Sequence, residues 1–322
     1  MAERINVGDR VDKVMVVAKK VARDYSGGRF LLLQFSDSEG LYKGVYWGVP
    51  PVIEETVMTN DIVRVKGDVQ EYQGALQIKV NSLEKLSSEE FDPTLFIPSS
   101  SRDMSVIYEE ILTAIGKVEN SYIKDLLEAV FGDDSFRERF LKAPAAKGWH
   151  HSYVGGLAEH LFDMLKIALA VAEVYPEVDR DLLVAGVLLH DLGKLAELSV
   201  TNHIDYTDRG RLLGHISIGV EFLDEYLRGM EEFPVELELR LKHMILSHHG
   251  RLEHGSPVLP MTIEALLLGY IDNLDAQVRG SLMAMGRGGG EGNWTDYVKL
   301  LDRFLYRGGK DTGDEGEGDE SG

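Results

Sequence analysis

Hydrophobic and polar positions follow two rhythms along this chain, and the change between them falls near residue 100. Over the first 86 residues, apolar side chains cluster in short runs at 11–22, 29–36, 41–48, 62–72 and 75–86. Their two-residue alternation is that of β-strands. Turn-forming sequences separate several of the runs: Ser26-Gly27-Gly28, Asp37-Ser38-Glu39-Gly40 and Gln73-Gly74. Residues 50–61 leave room for a short helix. From residue 102 the apolar positions recur at steps of three and four, as in Ile107, Ile111, Leu112 and Ile115. That is the period of helices.

Five strands with an insertion after the third predict an all-β barrel of OB type over residues 1–86, although strand count alone also fits an SH3-like barrel. Within it, Leu31, Leu33 and Phe35 share one face of the second run; Phe30, Leu32 and Gln34 share the other. In the third run Leu41, Val45 and Trp47 oppose Tyr42, Gly44 and Tyr46. Turning the aliphatic-rich faces inward places Trp47 in the core and Phe30, Tyr42 and Tyr46 outside. On an OB barrel that outer surface stacks bases, so these three are candidate nucleic-acid contacts. Packing under a linker or a neighbouring domain is the alternative. Residues 87–101 read as a linker, with Asp92-Pro93 and Pro98-Ser99-Ser100-Ser101 breaking regular structure. Helices are predicted at about 121–131, 152–174, 179–190, 214–229, 234–248, 261–280 and 294–306, making residues 102–307 an all-α bundle. A glycine-rich loop is expected at 286–292. The acidic, glycine-rich tail 308–322 is expected to be disordered.

The chain has no cysteine among its 322 residues, which excludes disulfides, zinc–thiolate sites, iron–sulfur clusters and thiol nucleophiles. That fits a cytoplasmic protein. The first twenty residues lack the apolar core of a signal peptide, and the apolar run 182–189 is too short for a membrane span. The net charge of −20 argues against simple electrostatic attraction to nucleic acid. Residues 1–86, however, balance 12 basic against 12 acidic side chains. The barrel is therefore the less repulsive place to hold a polyanion.

All ten histidines lie at or beyond residue 150. His160 sits on a predicted helix. His190-Asp191 ends an apolar helix and is followed by Leu192-Gly193-Lys194. His215 starts a helix, His248-His249 end another, and Asp272 lies within an apolar helix. A carboxylate in a buried helix needs a partner. Imidazoles and carboxylates suit divalent first-row metals, and seven ligands are too many for one tetrahedral ion. Two ions with a bridging carboxylate can clamp a phosphoryl group for in-line displacement.

The ordered series resembles the HD superfamily of metal-dependent phosphohydrolases in its dinuclear variety. The resemblance implies that His160, His190, Asp191 and Asp272 hold one ion, and that Asp191 bridges to a second held by His215, His248 and His249. Asp191 and Lys194 would be catalytic, with Lys194 contacting phosphoryl oxygens. Ahead of His160, the stretch Lys147-Gly148-Trp149-His150-His151-Ser152-Tyr153 reads either as a loop capped by Ser152 or as a phosphate-facing cluster. It resembles the approach to the first metal histidine in the YhaM family of 3′→5′ exoribonucleases, which implies substrate contacts for Lys147, His150, His151 and Tyr153. The domain order over roughly residues 5–306 is that of the same family. The resemblance further implies single-stranded RNA as substrate, single-stranded DNA as a second one, and manganese as the metal, with iron, cobalt and nickel as other candidates. A phosphohydrolase of small nucleotides with a regulatory barrel, and a non-catalytic nucleic-acid-binding protein, remain open. A homo-oligomer is compatible with the sequence.

Overall fold

The computed structural model describes residues 6–38, 40–72, 75–87, 96–201, 203–286 and 293–308. Five strands, β1 (Arg10–Tyr25), β2 (Gly28–Asp37), β3 (Gly40–Trp47), β4 (Ile62–Tyr72) and β5 (Ala75–Lys85), close a barrel in the order β1-β2-β3-β5-β4. The closure is the parallel pairing of β3 with β5. A register shift between Val17 and Lys19 lets one long β1 pair with both β2 and β4. Helix α1 (Pro51–Thr56) fills the gap between β3 and β4, where the insertion leaves room for it.

The barrel corrects the face assignment of β3. Antiparallel pairing sets Leu31 opposite Tyr46, Leu33 opposite Gly44 and Phe35 opposite Tyr42. Directly paired residues share a face, so the inward Leu31, Leu33 and Phe35 carry the tyrosine side of β3 inward with them. Tyr46 is 9% exposed and belongs to the barrel core, against which half-buried Tyr42 packs. Trp47, expected inside, is 47% exposed. It stacks on its partner Phe30 with centroids 4.4 Å apart, and Tyr25 meets both edge-on. The outer aromatic cluster is therefore Tyr25, Phe30 and Trp47. Gly44 is required where it stands, because a Cβ there would lie 2.6 Å from the Phe35 ring.

The second domain is a bundle of α2 (Met104–Gly116), α3 (Ser121–Phe131), α4 (Asp134–Phe140), α5 (Gly156–Val174), α6 (Arg180–Leu189), α7 (Lys194–Glu197), α8 (Asp208–Leu227), α9 (Val235–Ser247) and α10 (Ile263–Gly286). Asp103, Asn120, Asp133, Asp179 and Thr207 each cap a helix by accepting a backbone N–H. One apolar core runs through these helices, with Leu161, Leu188, Met244 and Leu268 fully buried. A two-stranded hairpin, β6 (Leu198–Val200) and β7 (Ile204–Tyr206), interrupts the helices.

Two helix expectations change. Helix α5 begins at Gly156 rather than 152, with Gly155 in the left-handed region at φ 83° and Ser152 outside the cap. Residues 294–306 are not helical. Thr295 N donates to the Leu305 carbonyl, and Asp302, at φ 54°, turns the chain back on itself. The expected disorder of residues 309–322, the loop 287–292 and most of the linker's first half lie outside the described residues.

Residues 96 and 97 join the domains. Phe96 is buried with Val16 and Ile62 of the barrel, and Ile97 with Leu198 and Ile204 of the helical domain. Consecutive side chains are thus anchored in different domains. Among the described residues, no helix is long and apolar enough to cross a membrane.

The β3 correction predicts a contrast in stability. Tyr46→Ala should cost about 3 kcal/mol by opening a core cavity, and Trp47→Ala about 1 kcal/mol or less. Denaturant unfolding measures both. Equal losses, or a larger loss for Trp47→Ala, would contradict the face assignment.

Candidate metal centre

Two helix ends, a break in α8 and the buried face of α5 deliver the centre's histidines. His190 follows the last residue of α6 and His248 the last residue of α9, each as the C-cap. Each directs Nδ1 at the carbonyl three residues back: Val187 O at 3.0 Å and Ile245 O at 2.7 Å. His249 Nδ1 meets the His254 carbonyl at 2.9 Å. His215 follows Gly214, whose φ of 71° breaks α8, and its Nδ1 lies 3.1 Å from Glu197 Oε1. His160, on the buried face of α5, places Nδ1 2.7 Å from Asp275 Oδ2.

All five histidines therefore have Nδ1 on an oxygen acceptor. That puts a proton on each Nδ1, so a ring in its neutral form carries its lone pair on Nε2. The Nε2 atoms of His160, His190, His215 and His248 are buried without a hydrogen-bond partner, as is Asp191 Oδ1. Buried polar groups in folded proteins are nearly always satisfied. Four orphaned imidazole nitrogens and a carboxylate oxygen facing one another are a set of donors awaiting a cation.

Asp191 is central, at 1% exposure. Its Oδ2 lies 3.5 Å from Nε2 of both His160 and His190, while Oδ1 lies 3.7 Å from His215 Nε2 and 3.8 Å from His248 Nε2. Asp272 Oδ1 is 3.3 Å from His160 Nε2. Ligand-type atoms gather into two sets, His160–His190–Asp272 and His215–His248–His249, while Asp191 groups with His190 and His248. One carboxylate thus presents a different oxygen to each set. This donor set fits two divalent ions.

The electrostatics favour positive charge. Burial would lower the His160 pKa, but the carboxylates of Asp272, Asp275 and Asp191 push it up to about 9. Burial acts against the Asp191 carboxylate, yet Lys194 and His190 hold its pKa well below the ordinary value. Lys194 donates to Asp191 Oδ2 at 2.5 Å. Burial opposes its charge too, but Asp191 and Asp272 raise its pKa, so it stays an ammonium. Gly193 permits this turn, since a Cβ there would lie 2.0 Å from the His215 carbonyl oxygen.

The stretch before α5 divides. His151 is buried at φ 49°, and its Nε2 lies 2.9 Å from the same Asp275 Oδ2 that meets His160. Tyr153 OH is 2.8 Å from His151 Nδ1, and burial and Glu159 raise the phenol's pKa, keeping it a donor. These two residues form a chain of support behind His160. His150 faces the centre, its ring 5.5 Å from that of His160. Burial, and then Lys194, lower its pKa to about 3, and its buried Nδ1 has no partner. Lys147 turns away and pairs with Asp205 of β6–β7 at 2.5 Å. Phe30, Tyr42 and Tyr46 lie on the barrel.

Sequence reasoning missed Asp275 and Glu197, which orient His160 and His215. Both carry a helical signal: Asp275 is three residues past Asp272, and Glu197 three past Lys194.

Comparison with known proteins agrees with this geometry. Residues 157–277 match the HD domain family, and residues 13–86 the OB-fold nucleic acid binding domain family. The 3′-5′ exoribonuclease YhaM of Bacillus velezensis is 40% identical over 281 residues, covering 84% of this chain and 86% of that protein. The chain belongs to the YhaM exoribonuclease family. Among solved structures, PriB from Ralstonia solanacearum aligns over 26% of this chain and all of its own, at 14% identity and TM-score 0.23. Rim1, a mitochondrial single-stranded DNA binding protein from S. cerevisiae, aligns over 25% of this chain and 95% of its own, at 14% identity and TM-score 0.22. In this YhaM-family chain the HD-domain match spans His160 to Asp275 and so includes every residue of the two donor sets.

The support role of Asp275 makes a specific prediction. Asp275→Asn leaves every donor atom of the two sets in place but should weaken metal binding by about 10–100-fold. Calorimetric titration with Mn²⁺ measures this. Wild-type affinity in a folded variant would contradict the role.

Proposed function

We infer that this protein is a metal-dependent 3′–5′ exoribonuclease acting on single-stranded RNA, with single-stranded DNA a second substrate. The observation that carries the reading is the convergence of buried, unpartnered Nε2 atoms around the two oxygens of Asp191. In this reading His160, His190, Asp191 and Asp272 would hold one divalent ion, and His215, His248 and His249, sharing Asp191, would hold the other. Manganese is the first choice, with iron, cobalt or nickel as alternatives, because a histidine-rich shell does not suit magnesium. Bound ions supply Lewis-acid stabilisation of the phosphoryl group and activate water as nucleophile.

The remaining chemistry belongs to the chain. Lys194 is held as an ammonium beside Asp191 and neutralises charge building on the non-bridging phosphoryl oxygens. His150 is neutral and offers its free nitrogen to the terminal nucleotide as a hydrogen-bonding group. His151 and Tyr153 position His160 through Asp275 and do not touch substrate. Lys147 lies exposed, paired with Asp205 and 5.6 Å from the Tyr206 ring centroid. It meets the RNA backbone only where that pair opens.

The barrel holds the strand. Its charge is balanced while the rest of the chain is acidic, and exposed Tyr25 and Trp47 with half-buried Phe30 form an outer aromatic cluster on which bases stack. Tyr46 has no part in this, being buried, and Tyr42 packs on the barrel core.

End-labelled RNA oligonucleotides incubated with Mn²⁺ test the activity. A 5′-labelled strand should shorten stepwise from its 3′ end, and Asp191→Asn should abolish turnover in a folded protein. Internal cleavage, or nucleotide hydrolysis without oligonucleotide decay, would contradict the reading. Replacing both Phe30 and Trp47 with alanine should raise KM for a long oligonucleotide roughly tenfold, with kcat on a dinucleotide unchanged. An unaltered KM would remove the barrel from substrate binding.

A further inference from the structure

Helix α10 is amphipathic in an inverted sense. Its four charged residues all point into the domain. Glu264 is buried and accepts from Arg240 at 3.2 Å. Asp272 and Asp275 serve the metal centre. Arg279 pairs with Asp163 and Glu159. The outer face carries no charge. Leu266, Tyr270, Leu274, Val278 and Leu282 are all exposed, Tyr270 at 70%, and they recur every four residues. A shallow groove along this row is lined by Tyr270, Asn273, Leu274, Gln277, Val278 and Leu282. Ile263, Met261 and Leu259 extend the exposed apolar surface at the start of the helix.

This face needs a cover. Eight large side chains, each about half exposed, present on the order of 800 Å² of apolar surface, the share one partner contributes to an interface of standard size. Soluble monomers rarely leave a contiguous patch that large. The chain outside the described residues offers too few large apolar side chains to fill it. Residues 287–292 and 309–322 contain none, residues 88–95 only Phe91 and Leu95, and residues 1–5 only Met1 and Ile5. Nucleic acid does not fit either, since the row has no cation to meet phosphate. A second copy of this chain does fit. With a net charge of −20, two copies repel over most of their surfaces, and an uncharged face lets them approach closely. A row at four-residue spacing is also the ridge that interdigitates when two helices cross.

We propose that two copies of this chain associate through the outer face of α10, related by a twofold axis near Leu274. A twofold contact is self-complementary, so residues equidistant from Leu274 meet across it. Tyr270 of one copy then faces Val278 of the other. The contact would brace from outside the helix that carries Asp272 and Asp275 on its inner face.

Light scattering and sedimentation of the full chain at micromolar concentration test this. The wild type should have at least twice the chain mass. Tyr270→Glu alone and Val278→Lys alone should each fall to monomer mass. The double variant Tyr270→Glu/Val278→Lys, which sets opposite charges across the axis, should regain the assembly. Circular dichroism separates loss of association from loss of fold. Because the chain has no cysteine, Leu274→Cys adds a readout independent of charge, and oxidation should link two copies. A monomeric wild type, folded single variants that keep the wild-type mass, or failure of both the double variant to reassociate and Leu274→Cys to cross-link would overturn the proposal.

Discussion

The structure depends on one unusual burial. A carboxylate, Asp191, sits at 1% exposure among imidazoles whose outer nitrogens have no protein partner. Burying such groups without compensation costs several kcal/mol each. The fold nevertheless fixes them. Carbonyls at the ends of α6 and α9 hold His190 and His248, Asp275 holds His160 and Glu197 holds His215. Two helix C-termini, the negative ends of their dipoles, also point here. These features raise the affinity of one cavity for positive charge, and the high pKa of His160 reports the same field.

The surrounding domain is built to support that cavity. The glycines at 155, 156 and 193 sit where a side chain would meet Met104 or the carbonyls of His151 and His215. They let the loop before α5 and the turn after α6 close tightly around the centre. Phe96 and Ile97, anchored in different domains, fix the barrel beside this unit. The protein pairs a charge-balanced barrel carrying aromatic side chains with an acidic bundle carrying the reactive centre. In that division, cations held at the centre would supply the attraction for phosphate that the acidic surface does not.

Much of this was legible in the sequence, and the exceptions have physical causes. The ordered series from His160 to Asp272 could be read because each member falls at a helix end or on a helix face with strong apolar periodicity. The two-domain division could be read from the change of period. The inner face of β3 could not. Both faces of that strand carry large apolar groups, and only its register against Leu31 and Phe35 turns Tyr46 inward and Trp47 outward. His151 and His150 are neighbours in sequence, yet one supports Asp275 while the other faces the centre. The left-handed backbone at His151 separates them. Asp275 looks like an ordinary helical carboxylate until α10 is packed against α5. The apolar steps across 294–306 resembled a helix because a short hairpin can repeat at similar intervals.

Native mass spectrometry of the full chain equilibrated with Mn²⁺ tests the central claim most directly. The account predicts a mass increase of two ions per chain in the wild type, and loss of that two-ion species in Asp191→Asn, where the bridge between the sets is weakened. A wild-type protein that takes up one ion or none at saturating metal would contradict it.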